Sequence, residues 1–386
     1  MDITIHPRKL FGKVNVIPSK SIAHRLLICS AFADAPTTLV CTETNRDIEA
    51  TAECLCALGA DILRTNYGYD IIPAKDIPSD VFMNCCESGS TLRFMLPIIG
   101  ALGVTATLKM EGRLPQRPLS PLWEEMERMG CKLSRPTAST IRCEGKLKPG
   151  TYSIAGNVSS QFITGLLLAF SLMEKPCVLY ITEKIESAPY FEMTKFVLEM
   201  FAEHRTPGRI EVEGDWSNGA FFLAANALGN TISIANLDPQ SVQGDRTILL
   251  WLPKLKKNCT ISAADIPDLV PVLSIVAAAN KGAVFTDIQR LRLKESDRVA
   301  SVIAMLEALG GKADASEDTL TVYGTGLVGG IVNSFNDHRI AMSAAIAATI
   351  CQKEVTILDS DCIQKSYPQF FEEYNRLGGS YEQYLR

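Results

Sequence analysis

The run Ser88-Gly89-Ser90-Thr91-Leu92-Arg93-Phe94-Met95-Leu96-Pro97-Ile98-Ile99-Gly100-Ala101-Leu102 opens on a polar, serine-rich cluster and continues as an apolar stretch rich in small residues. A helix that is apolar nearly all round is stable only when it is buried. The same arrangement occurs six times. Its other copies are Ser19-Lys20-Ser21 before residues 26–32, Ser159-Ser160-Gln161 before 162–172, Ser217-Asn218-Gly219 before 221–228, Pro267-Asp268 before 269–279, and Asn336-Asp337-His338-Arg339 before 340–350. The openings recur about every 65 residues, which is the signature of a chain built from copies of one supersecondary unit.

A second landmark lies inside the copies, where an amphipathic helix ends in a glycine and an alternating run follows. It occurs at Ala57-Leu58-Gly59, Arg128-Met129-Gly130, Ala308-Leu309-Gly310 and Arg376-Leu377-Gly378. Glycine just past a helix supplies the left-handed cap, so these points read as helix-to-strand junctions. Each unit is therefore expected to hold two helices and several short strands, the first helix buried and the second closer to solvent. Residues 201–214 and 245–265 lack a recognisable helix and cap and read as trimmed.

The 386 residues, 47% of them hydrophobic, are ample for two domains or more with well-buried cores. A net charge of -5 gives no electrostatic case for nucleic acid or an anionic membrane, so a local cation cluster would serve a small anion. The twelve cysteines form no CxxC pair and read as reduced, mostly buried thiols. No His, Cys or carboxylate cluster has metal-ligand spacing, so neither a metal nor an organic cofactor is expected. The N-terminus Met1-Asp2-Ile3-Thr4-Ile5-His6 has no basic n-region or apolar h-region, and no apolar run reaches the length of a membrane span. A cytoplasmic location is expected.

Buried helices that start with Ser, Asp or Asn present unpaired N–H groups and a partial positive charge at those starts. Lys20, Arg25, Arg93, Gln161, Asp268, His338 and Arg339 lie at the six openings, and Arg117, Arg298 and Lys365 add cations elsewhere. The densest cluster is Arg290-Leu291-Arg292-Leu293-Lys294-Glu295-Ser296-Asp297-Arg298. It puts four cations and two carboxylates where an alternating, strand-like run meets a helix expected over residues 299–309. Taken alone, the cluster suits a solvated helix face as well as an anion site. The recurrence of cations at equivalent points of a repeat favours the anion site.

Seven motifs now stand in order. They are Pro18-Ser19-Lys20-Ser21-Ile22-Ala23-His24-Arg25, Ser88-Gly89-Ser90-Thr91-Leu92-Arg93, Arg117-Pro118, Ser159-Ser160-Gln161-Phe162, Asp265-Ile266-Pro267-Asp268, Lys294-Glu295-Ser296-Asp297-Arg298 and Asn336-Asp337-His338-Arg339-Ile340-Ala341-Met342. In order, and over nearly the whole chain, they resemble the motif series of the 5-enolpyruvylshikimate-3-phosphate synthase family. Any one motif is weak, but the series is specific.

The resemblance implies an α/β (α+β) fold of two domains, each an inside-out α/β barrel of three βαβαββ repeats with buried parallel helices. It also implies a chain that crosses twice between domains, so that the first strand pairs with the C-terminal half. Residues 1–17 and 229–386 would carry the proton-transfer acids and phosphoenolpyruvate contacts, and residues 18–228 the shikimate 3-phosphate contacts. The implied reaction moves the enolpyruvyl group of phosphoenolpyruvate to the 5-hydroxyl of shikimate 3-phosphate and releases phosphate, through a tetrahedral intermediate. By resemblance Glu295 handles the C3 proton and Asp268 the 5-hydroxyl, with Lys20 and Lys294 sharing the transfers. Lys20, Ser21, Arg25, Ser159, Ser160, Gln161, Ser187, Tyr190, Asp268 and Lys294 resemble shikimate 3-phosphate contacts. Lys20, Gly89, Arg117, Gln161, Glu295, Arg298, Arg339 and Lys365 resemble phosphoenolpyruvate contacts, assisted by His338. Asp297 would hold the surrounding cations in place.

Three positions depart from the family pattern: Glu87 and His24 stand where asparagine is usual, and Arg290 where a neutral side chain is common. The UDP-N-acetylglucosamine enolpyruvyl transferases share the fold and the donor, but carry Lys-Asn at the first motif and a cysteine before the Arg-Pro-like segment. Here the first motif is Lys20-Ser21 and residues 110–118 contain no cysteine. A non-catalytic anion-binding homologue would lose Asp268 and Glu295, which are present. The chain is expected to act as a monomer on its two small substrates, with no nucleic-acid or membrane partner.

Overall fold

The six apolar stretches form helices in the computed structural model, which describes residues 1–384. They are Lys20–Ala31, Gly89–Leu102, Ser160–Phe170, Trp216–Ala227, Val270–Ala279 and His338–Ala348. Every residue of His338–Ala348 is buried, as are nine of the ten in Val270–Ala279. Burial of each Val, Leu or Ile on these helices contributes about 1.5–3 kcal/mol. The partner helices Arg46–Ala57, Leu122–Arg128 and Arg298–Ala308 keep an exposed face. The glycines expected to cap helices do so, with φ of +95° at Gly59, +115° at Gly130, +82° at Gly310 and +91° at Gly378.

The chain divides into two units, Met1–Ile17 with Gly214–Arg386, and Pro18–Glu213. Within the second unit, strand Arg209–Glu211 pairs in parallel with Thr37–Val40, which continues antiparallel to Gly68–Ile72 and then Asp61–Arg64. The same order of one parallel and two antiparallel pairings recurs for Asp80–Asn84, Thr105–Lys109, Thr140–Gly145 and Cys131–Thr137. The third sheet has only two strands, Thr151–Ala155 and Val178–Thr182, because no hairpin follows helix Ala188–Met200. The trimmed stretch 201–214 is where the hairpin of the other two repeats has no counterpart.

The other unit repeats this scheme. Strands Cys259–Ser262, Ala283–Thr286, Thr319–Tyr323 and Lys312–Ala315 make one four-stranded sheet. Gly330–Asn333, Val355–Leu358, Asp2–His6 and Ser380–Tyr384 make the other, so the first strand does pair with the C-terminal half. A two-stranded sheet joins Phe11–Asn15 to Thr231–Ala235.

The structure corrects three expectations here. Residues 214–228, expected with 18–228, belong to the other unit: helix Trp216–Ala227 leads into strand Thr231–Ala235, which pairs in parallel with Phe11–Asn15, and buries Trp216, Phe221 and Phe222 in that unit's core. The segment 245–265 is not devoid of a helix, since Ile248–Lys254 forms one despite Pro253. The alternation at 290–293 is not a strand but a 3-10 helix, Gln289–Leu293, with Arg290 and Leu291 buried. No described helix is long and apolar enough to cross a membrane.

Candidate active site

In the unit Pro18–Glu213 the helix starts gather the expected polar residues. Lys20 opens its helix and meets Asp47 Oδ2 at 3.1 Å, both side chains being 15% exposed. Arg25, five residues on, is buried among three helices. It donates from Nε to Thr194 Oγ1 (2.9 Å), from Nη1 to the Ser21 carbonyl (2.6 Å), and from Nη2 to Thr164 Oγ1 (3.0 Å) and the Tyr190 carbonyl (3.1 Å). A guanidinium has five N–H donors, so one on Nη1 remains beside Ser21. Ser159 caps helix Ser160–Phe170 by accepting from the Gln161 N–H, and Ser187 takes a left-handed conformation (φ 58°) before helix Ala188–Met200. Ser160 and Ser187 are buried, and Tyr190 is half-buried.

Gly89 is the first residue of its helix, and two guanidinium groups converge on it. A Cβ there would lie 2.6 Å from Arg117 Nη1 and 2.7 Å from Arg93 Nη1. A side chain there would have to displace both guanidinium groups. Arg93 Nη1 also donates to Gln161 Oε1 (3.2 Å), and Gln161 Nε2 donates to Ser90 Oγ (3.0 Å), which ties this helix start to the one at Ser160. Two cations at one backbone position, beside the positive end of a helix, suit an anion.

Beneath this start runs a buried polar chain. His24 Nδ1 lies 2.7 Å from Thr51 Oγ1, which lies 2.7 Å from Thr91 Oγ1, which donates to Ser88 Oγ at 2.7 Å. Burial, with Lys20 and Arg25 nearby, holds the His24 pKa well below the usual imidazole range, so the ring is neutral. The expected asparagine is thus replaced by a ring that anchors the serine capping the Gly89 helix. The Glu87 carboxylate lies against Gly112, where a Cβ would come within 2.4 Å of it.

In the other unit the cluster centres on Arg298, whose side chain is 1% exposed. It donates from Nε to Asp337 Oδ2 (2.9 Å), from Nη1 to Asp268 Oδ1 (2.5 Å) and from Nη2 to Glu295 Oε2 (2.6 Å). Arg339 Nη2 lies 3.1 Å and Lys294 Nζ 4.0 Å from Asp268. Burial alone would raise the Asp268 pKa, but the charges of Arg339, Lys294 and Arg298 outweigh it and hold the carboxyl well below its usual range. Burial pushes the Lys294 ammonium down to about 8, with Asp268 opposing and Arg290 and Arg298 assisting. Lys365 Nζ donates to the Asn336 carbonyl at 3.0 Å, and His338 and Arg339 are buried at the start of their helix.

Sequence reasoning missed several members. Asp337 holds Arg298; Asp297 caps helix Arg298–Ala308 by accepting from the Val299 and Ala300 N–H groups, and of the surrounding cations it pairs with Arg292, whose Nη1 lies 3.6 Å from its Oδ2. Asp337 does both jobs, accepting also from the Arg339 N–H and from Ser296 Oγ. Asp245 lies at the edge of the segment 245–265 that reads as trimmed. It is buried, accepts a hydrogen bond from Ser217 Oγ, and has its pKa raised to about 7 by burial and the Asp268 charge, against the pull of Arg339. Its sequence signal was only an aspartate after the polar Gln243-Gly244. Arg93 was visible at its helix start, but not its convergence with Arg117.

The EPSP synthase (3-phosphoshikimate 1-carboxyvinyltransferase) family matches residues 5–374. A 3-phosphoshikimate 1-carboxyvinyltransferase of Clostridium beijerinckii is 34% identical, with 99% of each chain covered. That of Clostridium perfringens (strain 13 / Type A) is 36% identical, with 98% of each covered. An EPSP synthase structure from Acinetobacter baumannii superposes with a TM-score of 0.79 at 22% identity, covering 99% of this chain and all of that one.

Proposed function

The chain belongs to the EPSP synthase family, and from that premise we propose that it transfers the enolpyruvyl group of phosphoenolpyruvate to the 5-hydroxyl of shikimate 3-phosphate, releasing phosphate. Each unit's three sheets and buried helices support the reading as an inside-out α/β barrel of three repeats. The enzyme would work in the cytoplasm as a monomer.

The observation that carries the mechanism is the fork of Arg298, which holds Asp268 on one nitrogen and Glu295 on the other. Two carboxylates with different surroundings can take different roles. Glu295, a quarter exposed, gives a proton to C3 of phosphoenolpyruvate, and the substrate 5-hydroxyl adds to C2. The hydroxyl proton passes to Lys294, whose pKa near 8 suits a proton acceptor at physiological pH. Asp268 is too acidic to keep that proton; as a fixed carboxylate it orients the hydroxyl and steadies the ammonium that forms. In the second half-reaction C3 returns its proton to Glu295 and phosphate leaves with the proton from Lys294.

Shikimate 3-phosphate would take its contacts from Lys20, Ser21, Arg25, Ser159, Ser160, Gln161, Ser187 and Tyr190. Phosphoenolpyruvate would engage Gly89, Arg117, Gln161, Arg339, Lys365 and His338, with Lys20 compensating charge. Arg298, committed to three carboxylates, reads as their positioning residue rather than as an anion contact. The deciding measurement is phosphate release from phosphoenolpyruvate with shikimate 3-phosphate and, separately, with UDP-N-acetylglucosamine. Release with the first alone supports the reading; release with the second, or with neither, overturns it.

A further inference from the structure

Helices Lys20–Ala31, Ser160–Phe170 and Ala188–Met200 run parallel, since Arg25 reaches Thr164 and Thr194 from comparable positions in the N-terminal halves of their helices. At their other ends the last turns surround a cavity of about 470 Å³ lined by Phe32, Leu167, Phe170, Leu172, Leu198 and Phe201. That volume is typical of small-molecule sites. All of these side chains except Phe201 are only half-buried, so the apolar surface is open to a ligand.

The cavity has a structural origin. In the other two repeats of this unit the second helix is followed by an antiparallel hairpin, Asp61–Arg64 with Gly68–Ile72 and Cys131–Thr137 with Thr140–Gly145. After Ala188–Met200 the chain passes instead through the short 3-10 turn Ala202–His204 to strand Arg209–Glu211. The lost strands leave the helix ends uncovered on that side.

The field at this end is the reverse of that at the anion-binding end. Each helix C-terminus carries about half a negative charge, and three converge here. Glu203 and His204 belong to the lining, and the Glu203 charge is offset by Arg205, 2.9 Å away. We propose that this cavity binds a small apolar molecule bearing a protonated amine, its body against the phenylalanines and leucines and its ammonium at the helix ends beside Ser171.

A matched pair of probes, 4-phenylbutylamine and 4-phenylbutyrate, tests this on the full chain without reference to turnover. The amine, at about ten times its Kd, raises Tm by about 3 °C. It also slows alkylation of Cys177, a half-buried thiol in the cavity wall, as read by peptide mass spectrometry. The carboxylate does neither. Leu167→Trp, which fills the cavity, abolishes both effects of the amine; Leu198→Phe serves the same end where Leu167→Trp fails to fold. No protection by the amine, equal protection by both probes, or protection that persists in a filled variant overturns the proposal.

Discussion

Arg298 Nε donates to Asp337 Oδ2 at 2.9 Å, and the two side chains are 1% and 0% exposed. This buried pair orients the guanidinium so that its two remaining nitrogens point at Asp268 and Glu295. Removing one partner of such a pair leaves an uncompensated charge in the interior, which is costly. Asp337→Ala is therefore expected to lower stability by about 3–5 kcal/mol, read by urea denaturation. A loss below about 1 kcal/mol, the size of a surface pair, would show that Asp337 is not the anchor.

Glu295→Ala keeps its neighbours packed but removes the group assigned to C3. Turnover should fall by about two orders of magnitude or more, while shikimate 3-phosphate binding by calorimetry stays near that of the parent. Retained turnover would remove Glu295 as the proton carrier.

Lys294 titrates near 8 in part because Arg290 faces it. If its neutral amine accepts the hydroxyl proton, kcat rises with pH through that value. Arg290→Met takes away one of the charges that lower the ammonium pKa, so the rising limb should move to higher pH. A limb that stays in place would assign the titration to another group.

Asp245 has its pKa raised from 3.8 to about 7. Between those values the folded state binds more protons than the unfolded state, so this group's contribution to stability falls as pH rises from about 4 to about 7. Asp245→Asn, which cannot ionise, should flatten that part of the stability-versus-pH curve. An unchanged slope would exclude Asp245 as its source.

Gly89→Ala puts a methyl within 2.6–2.7 Å of two guanidinium nitrogens. Both are ends of flexible side chains, so the chain folds and the strain, about 1–3 kcal/mol, falls on the positions of Arg93 and Arg117. The KM for phosphoenolpyruvate should rise about tenfold or more, with that for shikimate 3-phosphate nearly constant. Equal rises in both would mean a wider disturbance.

The repeat was legible because its marks are local. A serine or aspartate cap, an apolar stretch and a terminal glycine all act within a few residues, so Ser88, Ser159 and Gly130 could be read in place. The helix starts that carry Lys20, Gly89 and His338 were legible for the same reason. Asp337 and Asp245 were not, because their importance lies in partners far along the chain: Asp337 meets Arg298 across 39 positions. Asp297, next to Arg298 in sequence, caps the helix that Arg298 opens and pairs with Arg292 at 3.6 Å, which leaves Arg298 to Asp337.

By itself, then, the sequence determined how many units the chain has, where each buried helix begins, and which residues stand at those beginnings. Capping and periodicity are short-range physics and are written in consecutive residues. Only the tertiary structure decided that helix Trp216–Ala227 belongs with strand Phe11–Asn15, and that one buried guanidinium divides itself among Asp268, Glu295 and Asp337. Strand pairing and buried charge compensation depend on which distant groups share a low-dielectric interior.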